Sequence, residues 1–365
     1  MDVVKLTQEL VKINSEDPPG NEENVARFIE NFMKGTDFKL TKIYPEKNRP
    51  ILIFEKGKGE GLMLNGHMDT VPVGNNWKYD PFGGKLVKGK LYGRGAVDMK
   101  GGLASILIAA KKFSGKKFKR RLVLVFVPGE EVNLLGSDYL TSKKRELISG
   151  IKYGLIAEPT GMNIEIAQKG IVQVNVIFKG KSAHGSMPEL GDNAILKAVK
   201  FINELEKLTK KLKRKKNKIL GSGTINVGKI NGGIKVNMVP DFCKVEIDRR
   251  IIPGETINLA KKQIREILKR LNLKAKVEFV AGRPAMVISK KSEIVNIMKG
   301  ILKKKFIGSS GYTEAELYYT RCEIDCVVCG PGNEKLCHVA NEYNEVKQLR
   351  NAVEAYEKLI KMWCL

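Results

Sequence analysis

Leu122-Val123-Leu124-Val125-Phe126-Val127 is an unbroken apolar run, and Pro128-Gly129-Glu130-Glu131 follows it without a spacer. Six consecutive apolar residues closed by a Pro-Gly pair are too short for a helix and read as a strand buried on both faces. Strands of that kind belong to parallel sheets covered by helices. Working outward, residues 51–54 and 62–64 read as further short buried strands, and residues 99–113, rich in Ala, Leu and Ile, as a helix. Residues 146–149 close another helix, and 153–157 form another strand. This alternation predicts an α/β sheet flanked by helices.

Beyond residue 168 the pattern changes. Residues 172–178 alternate as a half-buried strand, 193–212 are helical, and 223–227 and 243–249 read as strands around the Asn231-Gly232-Gly233 turn. A helix over 256–271 and a strand over 274–280 complete a β-α-β-β-α-β order, the split βαβ arrangement. Residues 292–305 then return to helix, Val327 and Val328 to strand, and 345–363 to a closing helix. The expected architecture is a twisted mixed sheet flanked by helices, formed by residues 1–168 and 284–365, with a ferredoxin-like domain inserted over 169–283.

Composition narrows the function classes. Hydrophobic residues make up 42% of the 365, enough for a large core and two domains. No apolar run reaches the roughly 18 residues of a membrane span, and the opening segment reads as an amphipathic helix rather than a signal peptide. A cytoplasmic protein without membrane contact is expected. The net charge of +25 raises a nucleic-acid reading. The densest basic run, residues 210–216, has no interleaved aromatics and no reader motif, so it reads as a solvated helix end. Of six cysteines, Cys322, Cys326, Cys329 and Cys337 cluster, but their spacing fits no common zinc pattern, and Cys326 and Cys329 lie in an apolar strand.

The chain has three histidines, His67, His184 and His338, each in a Gly- or Pro-punctuated loop. His67 opens His67-Met68-Asp69 directly after a strand, where α/β sheets build their sites. Its ring can bind a metal through one nitrogen while Asp69 holds the other. Asp98 follows a dense run of glycines and precedes a helix, as a ligand or as a cap. Glu130 and Glu131, adjacent at a strand end, repel one another unless a cation lies between them. Glu158 ends another strand, and His338 stands in Cys337-His338-Val339-Ala340-Asn341-Glu342 after the Gly330-Pro331-Gly332 turn.

These five segments, in this order, resemble the signature of the co-catalytic zinc hydrolases that include acetylornithine deacetylase, succinyl-diaminopimelate desuccinylase, aminoacylase and glutamate carboxypeptidase. The opening Asp17-Pro18-Pro19-Gly20-Asn21-Glu22-Glu23 and the inserted domain fit as well. The resemblance implies a zinc-exopeptidase-like fold and two zinc ions, with cobalt or manganese as alternatives on the same ligands. One ion would take His67 and Glu158, the other Glu131 and His338, with Asp98 bridging and followed by a cis peptide bond. It makes Glu130 the general base, and Asp69, holding the second His67 nitrogen, counts with it among the catalytic residues. It makes the inserted domain a dimerisation domain, with His184 a hydrogen-bond donor to the partner subunit's active site in a homodimer. It places Asn237, Arg250 and Thr313 on a small substrate that carries a carboxylate. Arg249 competes with Arg250 from the opposite strand face. Two departures stand out: Val127-Pro128-Gly129 precedes the glutamate pair, and Tyr312 and Glu314 replace Gly and Asp in a substrate loop. The activity implied is hydrolysis of an N-acyl amino acid in arginine or lysine biosynthesis. The alternatives are a carboxypeptidase or dipeptidase, or release of an amino acid from an acidic carrier protein.

Overall fold

The computed structural model describes all 365 residues, which divide into two compact units. Met1–Ile166, Ile288–Ile307 and Thr313–Leu365 form the first; Ala167–Val287 and Gly308–Tyr312 form the second. Gly308–Tyr312 belongs with the inserted unit because the Lys169 N–H donates to the Ser309 carbonyl at 3.1 Å.

In the first unit six strands lie in the order Lys39–Glu46, Arg49–Lys56, Arg121–Val127, Gly61–His67, Ile151–Pro159 and Asp325–Gly330. The last four are mutually parallel, and the first two are antiparallel additions at one edge. The apolar run over 122–127 is the inner strand its composition predicts, with residues 122–127 all buried. The edge strand Lys39–Glu46 has charges and a proline at its register shift, the composition that keeps a sheet edge from pairing with another chain. Helix Lys100–Lys111, apolar nearly all round, packs against both Val3–Lys12 and Val346–Cys364 and is almost entirely buried.

Parallel register aligns the carboxyl ends of the central strands: His67 faces Val127, Asn65 faces Ile156, and Gly330 faces Pro159. The segments that follow or close these strands therefore meet along one edge of the sheet.

The second unit is a four-stranded antiparallel sheet in the order Thr224–Gly232, Phe242–Ile251, Gly170–Lys179, Ala275–Arg283, with helices Ala194–Leu212 and Ile257–Arg270. Val172, Val174, Val176 and Phe178 point to one face, where they join Val245, Ile247, Phe201, Leu205 and Ile264 in a core. The inner strands Gly170–Lys179 and Phe242–Ile251 alternate in burial, as half-buried strands must. No helix of the structure is long and apolar enough to cross a membrane.

Candidate metal centre

His67 is fully buried at the end of its strand. Its Nε2 lies 3.1 Å from Asp98 Oδ1 and 3.4 Å from Glu158 Oε1. The second carboxylate oxygen of Asp98 turns the other way, with Oδ2 3.2 Å from His338 Nε2, and that same nitrogen lies 2.9 Å from Glu131 Oε2. Asp98 thus stands between two sets of donors, one oxygen to each. The peptide bond between Asp98 and Met99 is cis.

The donor atoms of His67, Glu130 and Glu158 lie within 4.8 Å of one another, and so do those of His67, Asp98 and Glu131. This imidazole and carboxylate set suits a pair of divalent cations. One oxygen of Glu131 is buried and has no hydrogen-bond partner among protein groups, which an ion at this position would satisfy.

Electrostatics point the same way. Burial, reinforced by Asp98, pushes the Glu158 carboxyl well above its ordinary range; burial, reinforced by Glu314, does the same to Glu130. Glu131 is raised by burial and Asp98. Burial pulls His67 down, but Glu158, Asp69 and Asp98 outweigh it and hold the ring's affinity for a proton well above normal. Hydrogen bonds to Asp98 and Glu131 lift His338 to about 10. Among protein groups alone the cluster carries surplus negative charge that protons must balance. Cations displace such protons on binding.

Asp69 stands at the second His67 nitrogen, as expected, and does more besides. His67 Nδ1 is 3.0 Å from the Asp69 backbone carbonyl and 3.4 Å from its carboxylate. The carboxylate also accepts the Glu130 N–H at 3.1 Å and the Glu131 N–H at 3.0 Å. The reason is local: the short helix Glu130–Asn133 begins after Gly129, and its first N–H groups need an acceptor. Asp69 therefore ties the His67 loop to the Glu130 loop. Gly129 has φ of 69°, and a Cβ there would stand 2.7 Å from the buried Arg49 guanidinium, so glycine is required on both counts.

Several supporting residues escaped the sequence reading. Glu342 accepts the N–H groups of Val97 at 2.7 Å and Asp98 at 3.2 Å, while its other oxygen pairs with buried Arg94 at 2.7 Å. Glu342 stands in the quoted His338 segment, where it was the available signal, and Arg94 lies within the glycine run before Asp98. Arg49 binds Glu22 at 2.7 Å and Asp17 at 2.5 Å beneath the glutamate loop, and no local pattern marks it. Glu314 is fully buried, and burial raises its carboxyl to about 7.

The remaining candidates are placed differently. In the second unit His184 is exposed, with Nδ1 2.7 Å from Ser186 Oγ. The Gly185 N–H donates to the Asn237 carbonyl at 2.8 Å, which sets the His184 and Asn237 segments side by side. A Cβ at Gly185 would meet the Asn237 backbone at 2.9 Å. Arg250 is held by both oxygens of Asp248, at 2.7 and 3.1 Å, and stays partly exposed. Arg249 is buried against Glu255 at 2.9 Å, so of the two arginines it is the structural one. Thr313, in the first unit, accepts the Ala315 N–H at 3.2 Å. All six cysteines are free thiols.

A parallel sheet presenting two histidine and carboxylate sets around one shared aspartate defines the class: a hydrolase scaffold for two adjacent cations. The family model for peptidase family M20/M25/M40 matches residues 63–362, and the chain belongs to that family. It is a metallohydrolase acting on amide bonds. A probable succinyl-diaminopimelate desuccinylase of Staphylococcus aureus is 27% identical over 97% of this chain and 96% of its own. An acetylornithine deacetylase of Proteus mirabilis is 28% identical over 99% and 97%. A dinuclear metal binding peptidase of the M20 family from Bacillus subtilis superposes with a TM-score of 0.74, covering 99% of this chain and 97% of its own at 15% identity.

Proposed function

We propose that this protein removes the acyl group from an N-acyl amino acid by hydrolysis, as a deacetylase or desuccinylase of amino-acid biosynthesis, with zinc as its resident metal. The reading is carried by the placement of Asp98, one oxygen toward His67 and Glu158 and the other toward His338 and Glu131. His67, Glu158 and Asp98 would hold one ion, and Glu131, His338 and Asp98 the other. Two bound ions would supply a water acidified toward neutrality and polarisation of the scissile carbonyl.

Glu130 takes the proton of the attacking water and passes it to the departing amine. Its elevated affinity for a proton, from burial and Glu314, suits both halves of that task. Asp69 positions His67 through its carbonyl and the Glu130 loop through its carboxylate. Arg250 binds the substrate carboxylate, presented by Asp248, and Asn237 and Thr313 contact the substrate. His184, exposed on the inserted unit, donates to the developing oxyanion of a partner subunit in a homodimer. A cytoplasmic location is supported by six unpaired thiols. The relatives named desuccinylase and deacetylase support the N-acyl reading. The structural likeness to a peptidase keeps a dipeptide or C-terminal peptide bond as the second reading.

The test is hydrolysis of N-acetylornithine, N-succinyl-diaminopimelate, other N-acetyl amino acids and dipeptides by protein loaded with zinc, cobalt or manganese. Metal-dependent release of amine from an N-acyl substrate is expected. Turnover of dipeptides alone would replace this reading with the peptidase one.

A further inference from the structure

Glu314 is fully buried, yet neither of its carboxylate oxygens has a hydrogen-bond partner. The residue itself is firmly fixed. Its carbonyl accepts the N–H groups of Leu317 at 3.0 Å and Tyr318 at 3.3 Å as it opens helix Ala315–Cys322. A buried carboxyl without donors is costly, so a stable fold keeps one only where another favourable partner exists.

Two periodicities locate that partner. Tyr318 lies one helical turn beyond Glu314 on the same helix face, about 6 Å along the axis. Its hydroxyl stands 3.3 Å from Asn65 Nδ2. Asn65 and His67 share a strand face two residues apart, about 6.6 Å. The helix leads back into strand Asp325–Gly330, which runs parallel to the His67 strand, so the helix starts at the strands' carboxyl ends and Glu314 falls at the His67 end.

Neither oxygen of Glu314 has a partner among protein groups, and positive charge on the His67 side favours its ionised form. A cation held there would supply the missing partner.

We propose that Glu314 is a further carboxylate of the metal centre, serving the ion held by His67 and Glu158 and not the ion held by Glu131 and His338. This rests on the two-cation reading above. Its consequence is an asymmetric centre in which one position carries an additional negative charge.

The experiment is titration of the chelated full-length protein with Co2+, followed by calorimetry and visible absorption. Glu158→Gln identifies the first position and His338→Ala the second. Glu314→Gln is expected to weaken Co2+ at the Glu158 position tenfold or more and to leave the other within twofold. The chelated Glu314→Gln protein is expected to melt at or above the wild-type temperature, since it no longer buries an undonated carboxyl. Unchanged affinity at both positions would overturn the proposal. So would an equal loss at both with a lower melting temperature, which is the mark of a purely structural residue. If wild-type protein takes up fewer than two Co2+, the two-cation reading itself fails, a result separate from either.

Discussion

The two halves of the metal centre are built from the same residue types in opposite settings. His67 is wholly buried and comes directly off an inner strand, whereas the His338 side chain is 54% exposed and its backbone sits at φ of 63° in a loop. Glu158 ends a strand whose neighbours fix it on both sides. Glu131 lies in a helix of four residues whose first N–H groups depend on Asp69 as acceptor. One half is thus set by the sheet and the other by loops tethered to it. Such a pair can hold one ion as a fixed part of the fold and exchange the other more readily.

The largest effect tests whether the halves act together. Glu130→Gln should lower kcat by about 10^3-fold, within the range general-base catalysis supplies, while both ions stay bound. Metal analysis beside steady-state kinetics checks this, and loss of an ion from the variant would make Glu130 a ligand instead. Next come the histidines. In chelated protein, His67→Ala strips a partner from buried Asp98 and Glu158 and should destabilise the fold by roughly 3–5 kcal/mol. His338→Ala also takes a partner from Asp98 and Glu131, but from a half-exposed loop where water can replace it, and should cost less, roughly 1–2 kcal/mol. Urea unfolding of the two variants measures the difference, and equal costs would break the contrast between sheet-built and loop-built halves.

Asp69→Asn probes the tie between the halves. An amide offers one acceptor oxygen where the carboxylate offers two, so either the Glu130 or the Glu131 N–H loses its partner. A 10- to 100-fold loss in activity or metal affinity is expected, as for other groups that orient ligands. Losses confined to one ion would show which half the tether serves.

The same contrast explains what could be read in advance. Continuous apolar strands such as residues 122–127 announce themselves, and so do the ligands at their ends, because strand ends and turn residues are adjacent in sequence. The alternating strands and long amphipathic helices of the inserted unit were equally legible. The hairpin strand Lys39–Glu46 was not, since an edge strand has little to bury and its charges mimic a loop. Arg49 was hidden for another reason. Its partners Asp17 and Glu22 lie 32 and 27 residues away, and only the folded chain puts them under Gly129. Asp69 was correctly placed beside His67, but the demand of the Glu130 helix for an acceptor depends on a helix start that two adjacent glutamates do not signal.

The smallest effect concerns proton balance. Burial raises Glu314 and Glu342 to about 7, and also raises Glu130 and Glu158 well above their ordinary value. A carboxyl with a raised folded-state pKa binds more protons folded than unfolded, from its ordinary value of 4.5 up to that raised value. Stability of the chelated protein must therefore fall as pH rises through 4.5 to 7. His67 and His338, both raised, carry the same sign above 6.5. Lys100, lowered by burial to about 7, opposes them only at higher pH. The window below neutrality is thus free of competition from it, and a drop in Tm of roughly 5–10 °C across it is expected by calorimetry. Adding a divalent cation should flatten the curve, because the ions take over the charge that protons balance. A partial flattening at the first equivalent of metal would show that the buried His67 half fills first, and a flat curve in chelated protein would mean that its carboxyls are not held protonated by burial at all.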